Sequence, residues 1–145
     1  MRVAIATDED GTLPRAIMAA LRGRGDEPVP FGPLAGGAGE WAEVSAAAGR
    51  AVASGDAGAG VVICWTGTGA SIAANKVPGV RAALCADADT ARMARRYNHA
   101  NVLALSMRST SEALGEEILA AFLDSPYGDD AFDVRNVAAL EPRPG

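Results

Sequence analysis

Cysteine is scarce in this chain, and so are aromatic residues and positive charge. Two cysteines, Cys64 and Cys85, among 145 residues are too few for the disulfide framework of a secreted domain. Each closes an apolar run, which reads as a strand end carrying a reduced, cytosolic thiol. Aromatic residues make up 5% of the chain, so the core has to come from alanine, glycine and aliphatic side chains, a composition that permits close approach of helix to sheet. Acidic residues outnumber basic ones for a net charge of -5, which argues against a nucleic-acid partner or an anionic membrane surface. Arg92, Arg95 and Arg96 form a local basic cluster, read as a solvated helix face or the lining of a pocket for a small anion. Nowhere do about 18 apolar residues run uninterrupted, and the N-terminal stretch Met1 to Asp8 is too short for a signal h-region. A soluble, cytoplasmic protein is expected. There is neither an internal repeat nor a linker, so residues 1–145 read as one domain, with Pro142 to Gly145 as a frayed tail. At this length folding buries roughly 70% of the unfolded chain's surface, enough for a continuous core.

What the chain does have is a series of short runs apolar on both faces: Val3 to Thr7, Pro28 to Phe31, Gly60 to Cys64, Arg81 to Cys85 and Asn101 to Leu105. Such runs suit a parallel sheet covered on both sides. Helix-compatible segments alternate with them at Leu13 to Arg22, Glu40 to Ala53, Ser71 to Lys76, Asp89 to Tyr97 and Ser111 to Leu123. The alternation predicts an α/β fold, a doubly wound, Rossmann-like three-layer αβα sandwich with right-handed crossovers. Asp89 and Thr90 are expected to cap one helix and Ser111 with Glu112 the next, which Asp124-Ser125-Pro126 ends. Gly32 to Gly39 reads as a mobile loop near the site.

The most informative segment is Cys64-Trp-Thr-Gly-Thr-Gly-Ala-Ser-Ile-Ala-Ala-Asn-Lys76. It follows the apolar run Gly60 to Ile63 and runs into a helix, so strand, glycine turn and helix start are condensed into about a dozen residues. Gly67 and Gly69 allow a tight turn, after which the first amides of the helix point beyond the strand end, where anions bind well. A thiol at that rim is favoured as thiolate by the helix N-terminus, and amides aimed at developing negative charge stabilise an anionic intermediate. Ligands of open parallel sheets sit beyond the carboxyl ends of the strands. This topology gathers Asp8 and Glu9, the Cys64 to Ser71 loop and Arg108 there, around a small anionic ligand. A dinucleotide site is disfavoured, because Gly67-x-Gly69 lacks a third glycine at the expected offset and no acidic residue ends the next strand.

The strand ending in Asp8, the Cys64 to Lys76 block, Gly79-Val-Arg-Ala-Ala-Leu-Cys85, Asn98-x-x-Asn-Val-Leu-Ala-Leu105 and Arg108 together resemble the ribose-5-phosphate isomerase B and galactose-6-phosphate isomerase family. The resemblance implies a five-stranded parallel sheet, aldose-ketose isomerisation of a sugar phosphate through an enediolate, no metal and no cofactor. It also implies a homodimer, able to pair into a tetramer, with sites at the subunit interface and a C-terminal helix (about 130–141) reaching the partner. By the same resemblance Cys64 is the catalytic base, with the Thr66 hydroxyl beside it. Gly67, Thr68, Gly69, Ala70 and Ser71 hold the enediolate oxygens, Asp8 and Asn98 hold substrate hydroxyls, and Arg108 and Arg135 bind phosphate.

The chain departs from the family pattern at Glu9, which stands where an Asp-His pair has its histidine, and at Tyr97, which replaces the histidine implicated in ring opening. Trp65 replaces a glycine, and Ala131-Phe132 replaces an Arg-His pair. The reacting core is kept while ring-opening and distal groups have changed, which suggests a short or open-chain substrate such as a tetrose phosphate, beside ribose 5-phosphate. Glu9 is read as a solvated acid or a hydroxyl ligand, Tyr97 as a substrate donor or a packing residue, and the lone histidine, His99, as an acid near the pocket or a helix-end residue. Trp41 and Trp65 are read as covers of the pocket or, for Trp41, as core or dimer interface, and Cys85 as structural. Two other functions stay open on sequence: an isomerase of an unphosphorylated sugar, and a catalytically silent sugar-phosphate-binding protein.

Overall fold

Strands that are apolar on both faces can only be satisfied in the middle of a layered structure, and that is where they lie. In the computed structural model, which describes residues 1–142, they form β1 (Arg2–Thr7), β2 (Glu27–Phe31), β3 (Ala59–Cys64), β4 (Ala82–Leu84) and β5 (Val102–Ser106). All pairings are parallel, in the order β2-β1-β3-β5-β4. The expected tail from Pro142 to Gly145 falls, beyond Pro142, outside the described residues. Every residue of the two central strands β3 and β5 is buried.

Among the described residues the connections are α1 (Thr12–Gly23), α2 (Trp41–Ala53), α3 (Thr68–Asn75), α4 (Ala88–Asn98) and α5 (Glu112–Asp124), followed by a terminal α6 (Ala131–Leu140). Side chains alternate across the sheet, so Val3 and Ile5 face one layer while Ala4 and Ala6 face the other. The first layer packs α1, α4 and α5 through Ile17, Leu21, Ala91, Ile118 and Phe122. The second packs α2 and α3 through Val44, Ala48, Ala70 and Ala74. The second face is built of small residues, and its helices come close: a methyl on Gly60 of β3 would lie 3.1 Å from Val52 Cγ2 of α2. Because α1 leaves β1 to one face and α3 leaves β3 to the other, a crevice opens between the carboxyl ends of β1 and β3, the switch point at which this architecture binds ligands.

Several boundaries differ from expectation for identifiable reasons. β4 is shorter than Arg81 to Cys85 and β5 is displaced by one residue. The Asn101 side chain accepts from the Arg81 amide (2.8 Å) and donates to the Gly79 carbonyl (2.9 Å), occupying the start of both strands. The α4 cap is Asp87 rather than Asp89: its carboxylate accepts from the Thr90 amide at 2.6 Å, and this bond holds the Asp87 pKa below the ordinary carboxylate value. Ser111 caps α5 as expected, accepting from Leu114 N at 3.2 Å. The Gly32 to Gly39 segment is not featureless, since Gly32–Ala35 forms a 3-10 turn that ends at Gly36 with φ of 76°. Arg95 is not a solvated side chain. Its guanidinium lies 4.2 Å from the centroid of the Tyr127 ring and donates to the Ser125 and Ala100 carbonyls. No helix among the described residues is long and apolar enough to cross a membrane.

Candidate active site

The end of β1 is shaped by Thr7, whose buried hydroxyl donates to the Glu9 carbonyl (2.7 Å) and accepts from the Glu9 amide (3.2 Å). This turn presents Asp8. Asp8 Oδ1 is buried and accepts no hydrogen bond from the protein, a costly arrangement unless a ligand supplies the donor. β3 ends at Cys64, which is 5% exposed. The β3/β5 ladder continues past both strands: Met107 N donates to Cys64 O (3.0 Å) and Arg108 N to Trp65 O (2.9 Å), while Ser106 Oγ also donates to Trp65 O (3.0 Å). The backbone beside the thiol is thereby fixed, and Arg108 is carried up alongside Trp65.

The chain then turns at Gly67, with φ of 76°. A Cβ there would lie 2.6 Å from Leu84 Cδ1 and 2.9 Å from the Leu105 carbonyl, so both conformation and space demand glycine. The first intrahelical bond of α3 runs from Ser71 N to Gly67 O at 3.0 Å. The amides of Thr68, Gly69 and Ala70 precede it, and no side chain caps this end, which leaves them directed at the crevice with the positive end of the helix dipole. Gly69 is required for a different reason. A Cβ would lie 2.9 Å from Trp41 Cε3, so the indole rests directly on the loop. Thr66 and Thr68 share a hydrogen bond between their hydroxyls at 2.8 Å.

These groups enclose a cleft of about 290 Å³ lined by Asp8, Cys64, Thr66, Thr68, Gly69 and two indoles, Trp41 and Trp65. A larger cavity, about 570 Å³ and also lined by Trp65, lies between the starts of α1 and α5. It holds Thr110, Ser111 and Glu112 but no thiol, so the smaller, thiol-bearing cleft is the candidate site. Trp41, read from sequence either as a cover of the pocket or as core or interface, forms part of the cleft wall.

Asp8, Cys64, Thr66, Thr68 and Gly69 are thus brought together, with Gly67, Ala70 and Ser71 completing the same turn. Glu9 is exposed beside Asp8. Four other candidates lie elsewhere in this chain. α4 runs back against the strands, so Tyr97 and Asn98 sit at the opposite rim of the sheet, where Asn98 lines a cavity of about 450 Å³ with Asn75, Arg81 and Leu140. His99 closes α4 with φ of 49°, sets Nε2 2.8 Å from the Gly128 carbonyl and stacks on Tyr127 at 4.6 Å. In this chain it therefore stands at a helix end. Arg135 is exposed on α6, a helix without a buried residue. Cys85 is structural: burial, helped by the charge of Asp87, pushes its thiol up to about 11. Among the described residues no group of three or more His, Cys, Asp or Glu side chains is placed to hold a metal ion.

A doubly wound α/β protein with a thiol, free helix amides and an unpaired carboxylate oxygen at its switch point is equipped to bind an anion and handle a proton beside it. The model of the ribose/galactose isomerase family matches residues 3–140. Ribose-5-phosphate isomerase B of Escherichia coli is 34% identical over 145 residues, covering 98% of this chain and 97% of that protein. D-erythrulose-4-phosphate isomerase of Pectobacterium atrosepticum is 42% identical over 84 residues, 57% of this chain and 55% of that protein, so this match spans about half of either. The solved ribose-5-phosphate isomerase B of Clostridium thermocellum superposes with a TM-score of 0.90 at 37% identity, covering 97% of this chain and 95% of that one. The chain belongs to this family of sugar-phosphate isomerases.

Proposed function

We propose that the protein interconverts an aldose phosphate and a ketose phosphate of four or five carbons, with Cys64 as the base. The Cys64 thiolate takes the proton from C2 of the open-chain aldose. The electron pair forms the C1–C2 double bond, and the carbonyl π pair moves onto O1, giving an enediolate. Return of the proton to C1 with transfer of the O2 proton to O1 yields the ketose, so the reaction is balanced without a redox partner. The Thr68, Gly69 and Ala70 amides stabilise the enediolate oxygens, and their alignment before the reaction makes that stabilisation cheap. Asp8 Oδ1 receives a sugar hydroxyl, Thr66 supports the base, and Arg108 receives the phosphate.

The observation that carries this reading is the meeting of a buried thiol, uncapped helix amides and an orphaned carboxylate oxygen in one cleft. A four-carbon substrate is supported by the erythrulose-phosphate relative and by the small volume of the cleft. Asn98 and Arg135 serve the site of a second copy in a homodimer, the arrangement that reconciles their distance from Cys64 with a role in binding. Two reduced thiols fit a cytoplasmic location.

Isomerisation of four-, five- and six-carbon aldose and ketose phosphates in deuterated water tests the proposal. Wild type is expected to place deuterium at C1 or C2 of one substrate. Cys64→Ala should lose exchange by about 10²- to 10⁴-fold, the range for removing a general base, while keeping its fold by circular dichroism. Undiminished exchange in Cys64→Ala would assign the proton transfer to another group.

A further inference from the structure

Trp65 occupies an unusual position for a large apolar side chain. It is 61% exposed yet follows the buried Cys64 directly, and its backbone is pinned through its carbonyl by Arg108 N and Ser106 Oγ. Those bonds do not involve the indole, so fixing the strand end is not what requires a tryptophan. Trp65 belongs to the linings of both the 290 Å³ cleft and the 570 Å³ cavity. It is therefore the residue at which the two spaces adjoin.

The cleft lies at the small end of the range of small-molecule sites, which begins at about 300 Å³. Trp41 also lines the cleft, with one face against Gly69, where a Cβ would lie 2.9 Å from Cε3. On the Trp65 side a second space adjoins the cleft at a residue common to both linings. The neighbouring cavity is lined by Leu13 and Met107 as well as by Thr12, Thr110, Ser111 and Glu112, a mixed lining that suits the extra carbinol groups of a longer sugar.

We infer that Trp65 is the specificity-determining residue for chain length: its indole favours the four-carbon end of the proposed range, and its removal joins the cleft to the neighbouring cavity and shifts preference toward five- and six-carbon sugar phosphates. The inference rests on the isomerase reading and adds to it the residue that selects the substrate.

The test measures kcat/KM of wild type, Trp65→Ala and Trp65→Phe on the four-, five- and six-carbon series. In parallel, calorimetry gives dissociation constants for aldonohydroxamic acid phosphates of the same three lengths, which mimic the enediolate. Pockets discriminate about 10- to 200-fold per added or missing methylene. Trp65→Ala should therefore raise the preference for five over four carbons at least about tenfold in both readouts, with Trp65→Phe in between. Preferences within twofold of wild type in an active Trp65→Ala enzyme would overturn the length assignment and leave the isomerase reading intact. No Cys64-dependent exchange in wild type on any substrate would overturn both. A fall in assembly mass of Trp65→Ala by light scattering would assign the indole to a subunit contact and overturn the inference.

Discussion

The two thiols of this chain both follow apolar strands, and their surroundings give them different work. Cys64 opens onto the cleft beside uncapped amides, whereas Cys85 is 1% exposed with its sulfur directed at the Ala83 carbonyl. Burial, with the Asp87 charge second, lifts the Cys85 pKa from an ordinary 9.0 to about 11. In the unfolded chain this thiol ionises first. The unfolded state therefore binds fewer protons than the folded state between pH 9.0 and about 11, and stability falls as pH rises through that window. Replacing Cys85 by alanine removes this contribution. Urea unfolding of wild type and Cys85→Ala from pH 8 upward should show the stability gap between them narrowing across the window, with wild type ahead at its start. A gap that stays constant with pH would mean the buried thiol is not linked to folding.

The β3-turn-α3 element joins the fold to the chemistry, and much of it was legible in the sequence. A run apolar on both faces, two glycines and an alanine-rich helix start specify strand, turn and helix locally. What the sequence did not carry is why each glycine is needed, because the groups that crowd them, Leu84, Leu105 and Trp41, come from other elements. Gly67→Ala is expected to cost about 2 kcal/mol or more, since a left-handed conformation is unfavourable for alanine by about 1–2 kcal/mol and overpacking adds a similar amount. Denaturant titration measures it. A loss under about 0.5 kcal/mol would show that the turn relaxes freely. The boundaries that sequence reading missed have the same origin: Asn101 sets the starts of β4 and β5 through side-chain bonds to residues about 20 positions away, and no local propensity encodes that. The Asp87 cap was missed because Asp87 and Asp89 are both acceptable caps on local grounds.

At the scale of the molecule, the candidate residues divide between two rims of one sheet. Cys64, Thr66, the α3 amides and Asp8 occupy the carboxyl rim, and Asn98 and Tyr97 the amino rim, because a helix that crosses back over a parallel sheet must end where the next strand begins. If Asn98 binds substrate, it binds at the Cys64 of another copy. α6 is consistent with such an arrangement, as it leaves Phe132 at 64% and Leu140 at 66% exposure while the Arg81–Glu141 ion pair ties the chain just beyond its end back to the fold. The split makes a specific prediction. Cys64→Ala and Asn98→Ala should each be nearly inactive alone, yet equal amounts unfolded and refolded together should recover about a quarter of wild-type activity. Random two-fold association makes about half of the dimers mixed, and each mixed dimer has one site with both groups intact. Recovery is measured as deuterium exchange after co-refolding, with the separately refolded variants as the baseline. If the mixture performs no better than that baseline, Asn98 acts within its own chain or not at all, and the amino-rim cavity beside Arg81 has no part in the site.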